Sequence, residues 1–170
     1  MWYTGRIPEG IINDTYKFLQ YEKEPFNDTE AIEEWLEIYG NIFDTGEMAD
    51  FRKPQPDWTS KVAEFLKLNL CGTTFYKMAP GKILPYHSDA YKKYIAYYKI
   101  ENVEKIHRAI IFLEDWKPGH IFEIDGYPIV NYRAGTYVVW NYDTPHMAAN
   151  LGPDLRYTLQ ITGIIDNVIS

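Results

Sequence analysis

From Thr73 to Ile164 the chain is divided into short apolar-rich runs by tight-turn signals, and this punctuation restricts the fold more than any other feature. Thr73 to Met78 and Lys82 to His87 flank Pro80-Gly81, and His107 to Leu113 runs into Lys117-Pro118-Gly119. Ile121 to Ile124 is followed by Asp125-Gly126, a strong two-residue hairpin signal because both residues tolerate positive φ. Arg133-Ala134-Gly135 turns into Thr136 to Asn141, after which come His146 to Asn150 and Leu155 to Ile164. Short strands joined by tight turns predict a double-sheet jelly roll or cupin-like barrel.

The first third of the chain reads as helical. Asn27 with Glu30 three residues on resembles a cap, and Ile32, Trp35, Leu36 and Tyr39 follow at helical spacing before a left-handed stop at Gly40. Asp57 opens a second helix with Trp58, Val62, Phe65 and Leu66 on one side, predicted to end near Gly72, and a further helix is placed around residues 9 to 22. Helices that precede the strands pack on one outer face, which makes the class α+β. The expected organisation is one domain over 1–170: a mainly helical support over 1–72 and a β core over 73–165 with an insert at about 90–106. A chain of 170 residues buries enough surface to fold without a disulfide or structural metal, and its single cysteine, Cys71, fits a reducing compartment. No apolar stretch approaches membrane-spanning length, so a soluble, cytoplasmic protein is expected.

Charge is unevenly spread over the net −7. Residues 22 to 50 carry ten acids against the single base Lys23, which argues against a nucleic-acid partner along this segment and suits a solvated helix face. The alternative is a docking surface for a basic partner. Fifteen tyrosines and five tryptophans are a load that suits β-rich cores and sites gripping flat or extended ligands.

The last strand alternates Leu155, Tyr157, Leu159 and Ile161 with Arg156, Thr158, Gln160 and Thr162. A polar row turned into a barrel is costly unless a ligand, metal or water satisfies it. The alternative is an edge strand with that row in solvent.

His87 and Asp89, two residues apart at the end of a strand entered through Ile83, Leu84 and Pro85, are expected on one face of it, and His146 follows 59 residues after His87. Two imidazoles and one carboxylate can hold a divalent metal with open positions opposite, the arrangement of non-heme Fe(II) oxygenases, although Zn(II) and Mn(II) accept the same donors. Arg156, ten residues beyond His146, grips a carboxylate through two parallel hydrogen bonds, and Thr158 points the same way. A zinc hydrolase has no evident use for that clamp, whereas an oxygenase using 2-oxoglutarate must hold the distal carboxylate of its cosubstrate. The alternative for Arg156 is a surface ion pair with Asp154.

With these residues in place, the stretch from about Phe75 to Gly163, roughly half the chain, resembles 2-oxoglutarate- and Fe(II)-dependent dioxygenases. It is most similar to the aspartyl/asparaginyl β-hydroxylase group, which includes free-proline hydroxylases. Pro80-Gly81 lies seven and six residues before His87, Gly135 eleven before His146, and Arg156 ten after it. The resemblance implies a double-stranded β-helix, with His87, Asp89 and His146 as iron ligands and Arg156 on the distal carboxylate of 2-oxoglutarate. It further implies a cosubstrate contact from Tyr76 and another from Arg108, with His107 as the substitute, and O2 as the oxidant. Some animal members have glycine where this chain has Asp89, so the complete triad here weakens transfer of their substrate choice.

Ala90 to Lys99 forms a tyrosine- and lysine-rich insert that begins directly after Asp89 and so follows two of the three expected ligands. Its position suits a lid on a peptide substrate, with an ordinary helical surface insertion as the alternative. The implied substrate is an aspartyl, asparaginyl or prolyl residue of a peptide or protein, with a free amino acid as the second possibility. Other readings are a cupin-like metal-binding or sensing module, and a zinc or manganese enzyme on the same barrel. His120 is expected to be structural or substrate-facing, and Trp140 a packing residue beside the metal.

Overall fold

The computed structural model describes residues 1–23 and 29–165. Its strands are β1 (Trp2–Arg6), β2 (Glu47–Asp50), β3 (Asn69–Met78), β4 (Ile83–His87), β5 (Ile106–Phe112), β6 (His120–Ile124), β7 (Tyr127–Pro128), β8 (Thr136–Asn141), β9 (His146–Asn150) and β10 (Arg156–Ile164). The helices are α1 (Thr29–Tyr39), α2 (Trp58–Phe65) and α3 (Lys92–Tyr98). Two antiparallel sheets face each other, one in the order β1-β8-β5-β10-β3-β2 and one in the order β4-β9-β6-β7. This is a jelly-roll, double-stranded β-helix.

The two faces of the larger sheet do different work. On its outer face Phe75, Ala109, Ile111, Val139, Leu159 and Ile161 pack under Trp58, Val62, Ala63 and Leu66 of and just beyond α2. On its inner face Met78, Ile110, Phe112, Val138 and Trp140 meet Phe122, Ile124 and Ala148 of the smaller sheet. Each of the Val, Leu, Ile, Phe and Met side chains among these contributes about 1.5–3 kcal/mol when fully buried. β10 lies between β5 and β3, so it is not an edge strand. Leu159 and Ile161 face outward into apolar packing, leaving Arg156, Thr158, Gln160 and Thr162 to face the barrel interior, as the alternation predicts.

Several local expectations shift. The turn at Asp125-Gly126 is the predicted hairpin: both residues have positive φ (51° and 78°), and Ile124 pairs Tyr127. α1 ends at Gly40 (φ 65°), whose N–H donates to Leu36 O at 3.0 Å. The expected cap at Asn27 lies outside the described residues. Of the α1 stripe Trp35 is buried and Ile32 half-buried, while Leu36 and Tyr39 stay exposed.

α2 stops well before Gly72. Lys67 takes φ 56°, Leu68 N–H donates to Ala63 O and Lys67 N–H to Glu64 O, both at 3.0 Å. That is the usual glycine-type helix ending made with a lysine, so no glycine marks it and β3 begins at Asn69. Between residues 9 and 22 the structure holds only a short 3-10 turn, Asp14–Phe18, capped by Asn13. The N-terminal 72 residues also supply β1 and β2, which form both edges of the larger sheet.

The acids of residues 22 to 50 are not all solvated. Lys23 and Lys82 converge on Asp44, Lys53 meets Glu22, and Lys77 meets Glu47. Glu33, Glu34 and Glu37 of α1 remain exposed. Among the described residues no helix is long and apolar enough to cross a membrane.

Candidate metal centre

The register between β4 and β9 sets His87 opposite His146, with ring centroids 4.6 Å apart. β4 is an edge strand, which tolerates Pro85, and the pairing shifts register between Leu84 and His87. The Pro85 carbonyl accepts from His87 Nδ1 at 2.8 Å, and the Thr144 carbonyl accepts from His146 Nδ1 at 3.1 Å. A carbonyl only accepts, so both rings carry their proton on Nδ1 and turn a lone pair on Nε2 into the site. The edge of Trp35 meets the His87 ring, and Trp140 packs 4.8 Å from that of His146, the packing place expected for Trp140.

Asp89 arrives differently from the sequence argument. β4 ends at His87, so Asp89 is not on a strand and does not share a strand face with it. A loop carries it back, with Ser88 Oγ donating to Asp143 O at 3.1 Å. Its Oδ1 lies 3.8 Å from His87 Nε2 and its Oδ2 3.5 Å from His146 Nε2. One ligand atom from each of His87, Asp89 and His146 lies within 4.8 Å of the others.

The protonation states suit a metal. Burial pushes His146 down to about 4, helped by the neighbouring His87 and Arg108, so the ring is neutral near pH 7. Burial by itself raises Asp89, but the Arg108 guanidinium and the two histidines hold it well below the usual carboxylate range. His146 Nε2 is buried without a hydrogen-bond partner, an orphan that a metal ion would satisfy. Two imidazoles that turn Nε2 into the site and one carboxylate fit a divalent ion, a donor set that suits non-heme Fe(II).

A cavity of about 440 Å3 adjoins this centre. Asp89, Arg108, Tyr76, Gln160 and Thr162 border it from the barrel, Tyr91, Tyr94 and Lys93 from the insert, and Asp50 and Arg52 from the end of β2. Tyr76 faces inward on β3, paired with Thr158 of β10. Arg108 also faces the interior, but it is engaged: Nη1 lies 2.9 Å from Asp89 Oδ2 and Nε donates to Thr162 Oγ1 at 3.2 Å. His107 is on the opposite face of β5, with Nδ1 on Lys105 O at 2.9 Å, and does not substitute for it.

Arg156 and Thr158 are buried farther along the same inward row and do not border this cavity. Arg156 has no ion pair with Asp154 among the described residues; it is 4% exposed, over the Phe112 ring and beside the Tyr132 phenol. Its Nε and Nη2 are buried without partners. Tyr132, stacked on Phe112 at 3.8 Å, carries no sequence signal, being one tyrosine in a turn. His120 is buried against the Asp154 carbonyl near Arg156 and is no ligand.

The insert is the helix α3. Tyr91 (φ 54°) and Lys99 (φ 53°) bound it, and Tyr91, Ile106 and Ile164 form a small core beneath it. Tyr94 and Tyr98 donate to the Leu70 and Cys71 carbonyls of β3 at 2.9 and 3.1 Å. It is an anchored wall of the cavity.

The fold is a double-stranded β-helix, and His87, Asp89 and His146 form a candidate metal site within it. No family model matches the chain, and no curated protein does. Solved structures do. A Pseudomonas putida prolyl-4-hydroxylase superimposes over 98% of this chain and 93% of its own, with a TM-score of 0.60 at 15% identity. The non-heme alpha-ketoglutarate-dependent carbocyclase SnoK from nogalamycin biosynthesis matches 85% of this chain and 78% of its own, with a TM-score of 0.53 at 16% identity. At such identities the likeness is one of fold.

Proposed function

We propose that the protein is an Fe(II)- and 2-oxoglutarate-dependent dioxygenase that hydroxylates an amino-acid residue, prolyl or aspartyl/asparaginyl, within a peptide or protein. The observation that carries this reading is Arg156. A guanidinium buried with Nε and Nη2 unpartnered, and with no carboxylate beside it among the described residues, suits an anion on the same interior wall that faces a two-histidine, one-carboxylate centre. Sharing a fold with a prolyl-4-hydroxylase and an alpha-ketoglutarate-dependent carbocyclase supports it.

On this reading His87, Asp89 and His146 hold the iron, and Arg156, with Thr158 and Tyr132, holds the distal carboxylate of 2-oxoglutarate. Fe(II), 2-oxoglutarate and O2 supply the oxidising chemistry when bound; the protein supplies orientation and shelter from water. Tyr76 offers a hydroxyl to the cosubstrate from the cavity wall. The ring faces of Tyr91 and Tyr94, whose positions are fixed by the anchored α3, form one side of the substrate site.

One observation favours a free amino acid instead. Asp50 and Arg52, paired at 2.6 Å, present an acid and a base to the same cavity, a set that suits an ammonium and a carboxylate. Succinate release from 2-oxoglutarate, measured with free proline and with a peptide library, separates the two. The parent releases succinate, and His87→Ala and His146→Ala abolish it. Metal binding without any substrate-stimulated succinate leaves a sensing module and overturns the enzyme reading.

A further inference from the structure

Asp89 is the one ligand that no secondary-structure element holds. His87 closes β4 and His146 opens β9, each fixed by the ladder and by a carbonyl on Nδ1. Asp89 stands in the loop beyond, and a carboxylate at a loop position has free χ angles unless another side chain restrains it.

Arg108 is placed to do so. It sits in the middle of the larger sheet, paired with Trp140 of β8 and Thr162 of β10. Three contacts fix its plane: Nη1 at 2.9 Å from Asp89 Oδ2, Nε donating to Thr162 Oγ1 at 3.2 Å, and the Tyr91 ring 4.7 Å from its Cζ. Tyr91 is itself held under the guanidinium in a left-handed conformation (φ 54°) that non-glycine residues rarely adopt. Such strain persists only where the surroundings impose it.

Resting on the triad being the metal site, we propose that Arg108 is a positioning residue for Asp89 rather than a cosubstrate contact. By engaging Oδ2, which lies 3.5 Å from His146 Nε2, it fixes the carboxylate plane and leaves Oδ1, 3.8 Å from His87 Nε2, as the second oxygen of the ligand. A carboxylate with both oxygens on the ion would take an extra coordination position, one of those that a chelating keto acid and O2 need. A rigid sheet thereby orients a ligand that arrives on a loop. The resemblance noted in the sequence implies a cosubstrate contact for Arg108, so the two roles make opposite forecasts.

Co(II) is the probe, titrated into the chelator-stripped full chain and followed by its visible d–d spectrum in the absence of 2-oxoglutarate. Arg108→Gln lowers Co(II) affinity about 10- to 100-fold, the usual effect of losing an outer partner of a ligand, and alters the spectrum. Arg108→Lys recovers part of the affinity, since an ammonium reaches Oδ2 but cannot also hold Thr162. Thr162→Val, which spares both members of the ion pair, gives a smaller loss of about threefold in the same direction and covers the case in which Arg108→Gln fails to fold. Unchanged Co(II) affinity and spectrum in Arg108→Gln, with only 2-oxoglutarate affinity lost, overturns the positioning role. Unchanged Co(II) binding in His146→Ala instead removes the metal site itself, a separate failure.

Discussion

The barrel interior holds an arginine toward each end, Arg108 half-buried and Arg156 buried, and the two are satisfied in different ways. Arg108, beside the triad, is neutralised from within: Asp89 lies 2.9 Å away and Tyr91 shields its face. Arg156 is buried more deeply, has an aromatic ring and a phenol for company, and lacks a carboxylate among the described residues. An ion buried without a counter-ion costs on the order of several kcal/mol. On the roles proposed above, the contrast separates an arginine that orients the protein's own carboxylate from one that receives a carboxylate supplied by a ligand.

The largest test of that contrast is Arg156→Met. Calorimetric titration should show 2-oxoglutarate affinity falling by about 2–4 kcal/mol, roughly 30- to 1,000-fold, as expected when one member of a buried charged contact is removed. Urea denaturation of the same variant should show equal or greater stability, because an unpaired buried charge has gone. A large loss of stability would mean that the protein itself supplies a counter-ion to Arg156.

Asp89→Ala should behave in the opposite way. Stranding Arg108 destabilises the metal-free protein by roughly 2–4 kcal/mol, and adding Arg108→Met recovers part of that loss in a double-mutant cycle. Additive losses would dissolve the pairing on which the comparison rests.

Tyr132→Phe is a finer probe of the Arg156 end. Removing one hydroxyl should weaken 2-oxoglutarate binding by about 1 kcal/mol, near fivefold, while leaving Co(II) affinity untouched. An effect on the metal would show that the two ends are not separable.

The smallest expected effect is with pH. His146 is held at about 4 and His120 below its ordinary 6.5, burial being the main cause in both. The unfolded chain therefore takes up these protons first as pH falls below 6.5, and stability of the metal-free protein declines from there toward pH 4. Urea midpoints at pH 7.5 and 5 should show this decline, and His120→Gln should reduce it. A flat profile would mean that neither imidazole is buried neutral.

Most of the β core was legible in the sequence because turn residues carry their own backbone chemistry. Asp125-Gly126 and Gly40 adopt the left-handed angles their types suggest. Alternation along β10 separated inward from outward residues, and its position between two strands then excluded solvent as the destination of the polar row. What local pattern missed was set by other means. α2 ends on a left-handed Lys67, a state few lysines adopt and none announces. β1 and β2 are strands because the larger sheet offers them an edge, not because Trp2–Arg6 or Glu47–Asp50 carries a strong period.

At the site, the sequence by itself determined which side chains were available and on which strands His146 and Arg156 would stand. Residue type and spacing suffice for that, since a strand's two faces alternate whatever packs against them. Only the tertiary structure decided that Asp89 comes from a loop, that Arg108 turns to it, and that Arg156 lies in the interior with Tyr132 instead of meeting Asp154 at the surface. Those are relations between residues 19 to 24 positions apart on different elements, and charge pairing in a low-dielectric interior is settled by distance and desolvation, neither of which a linear pattern contains.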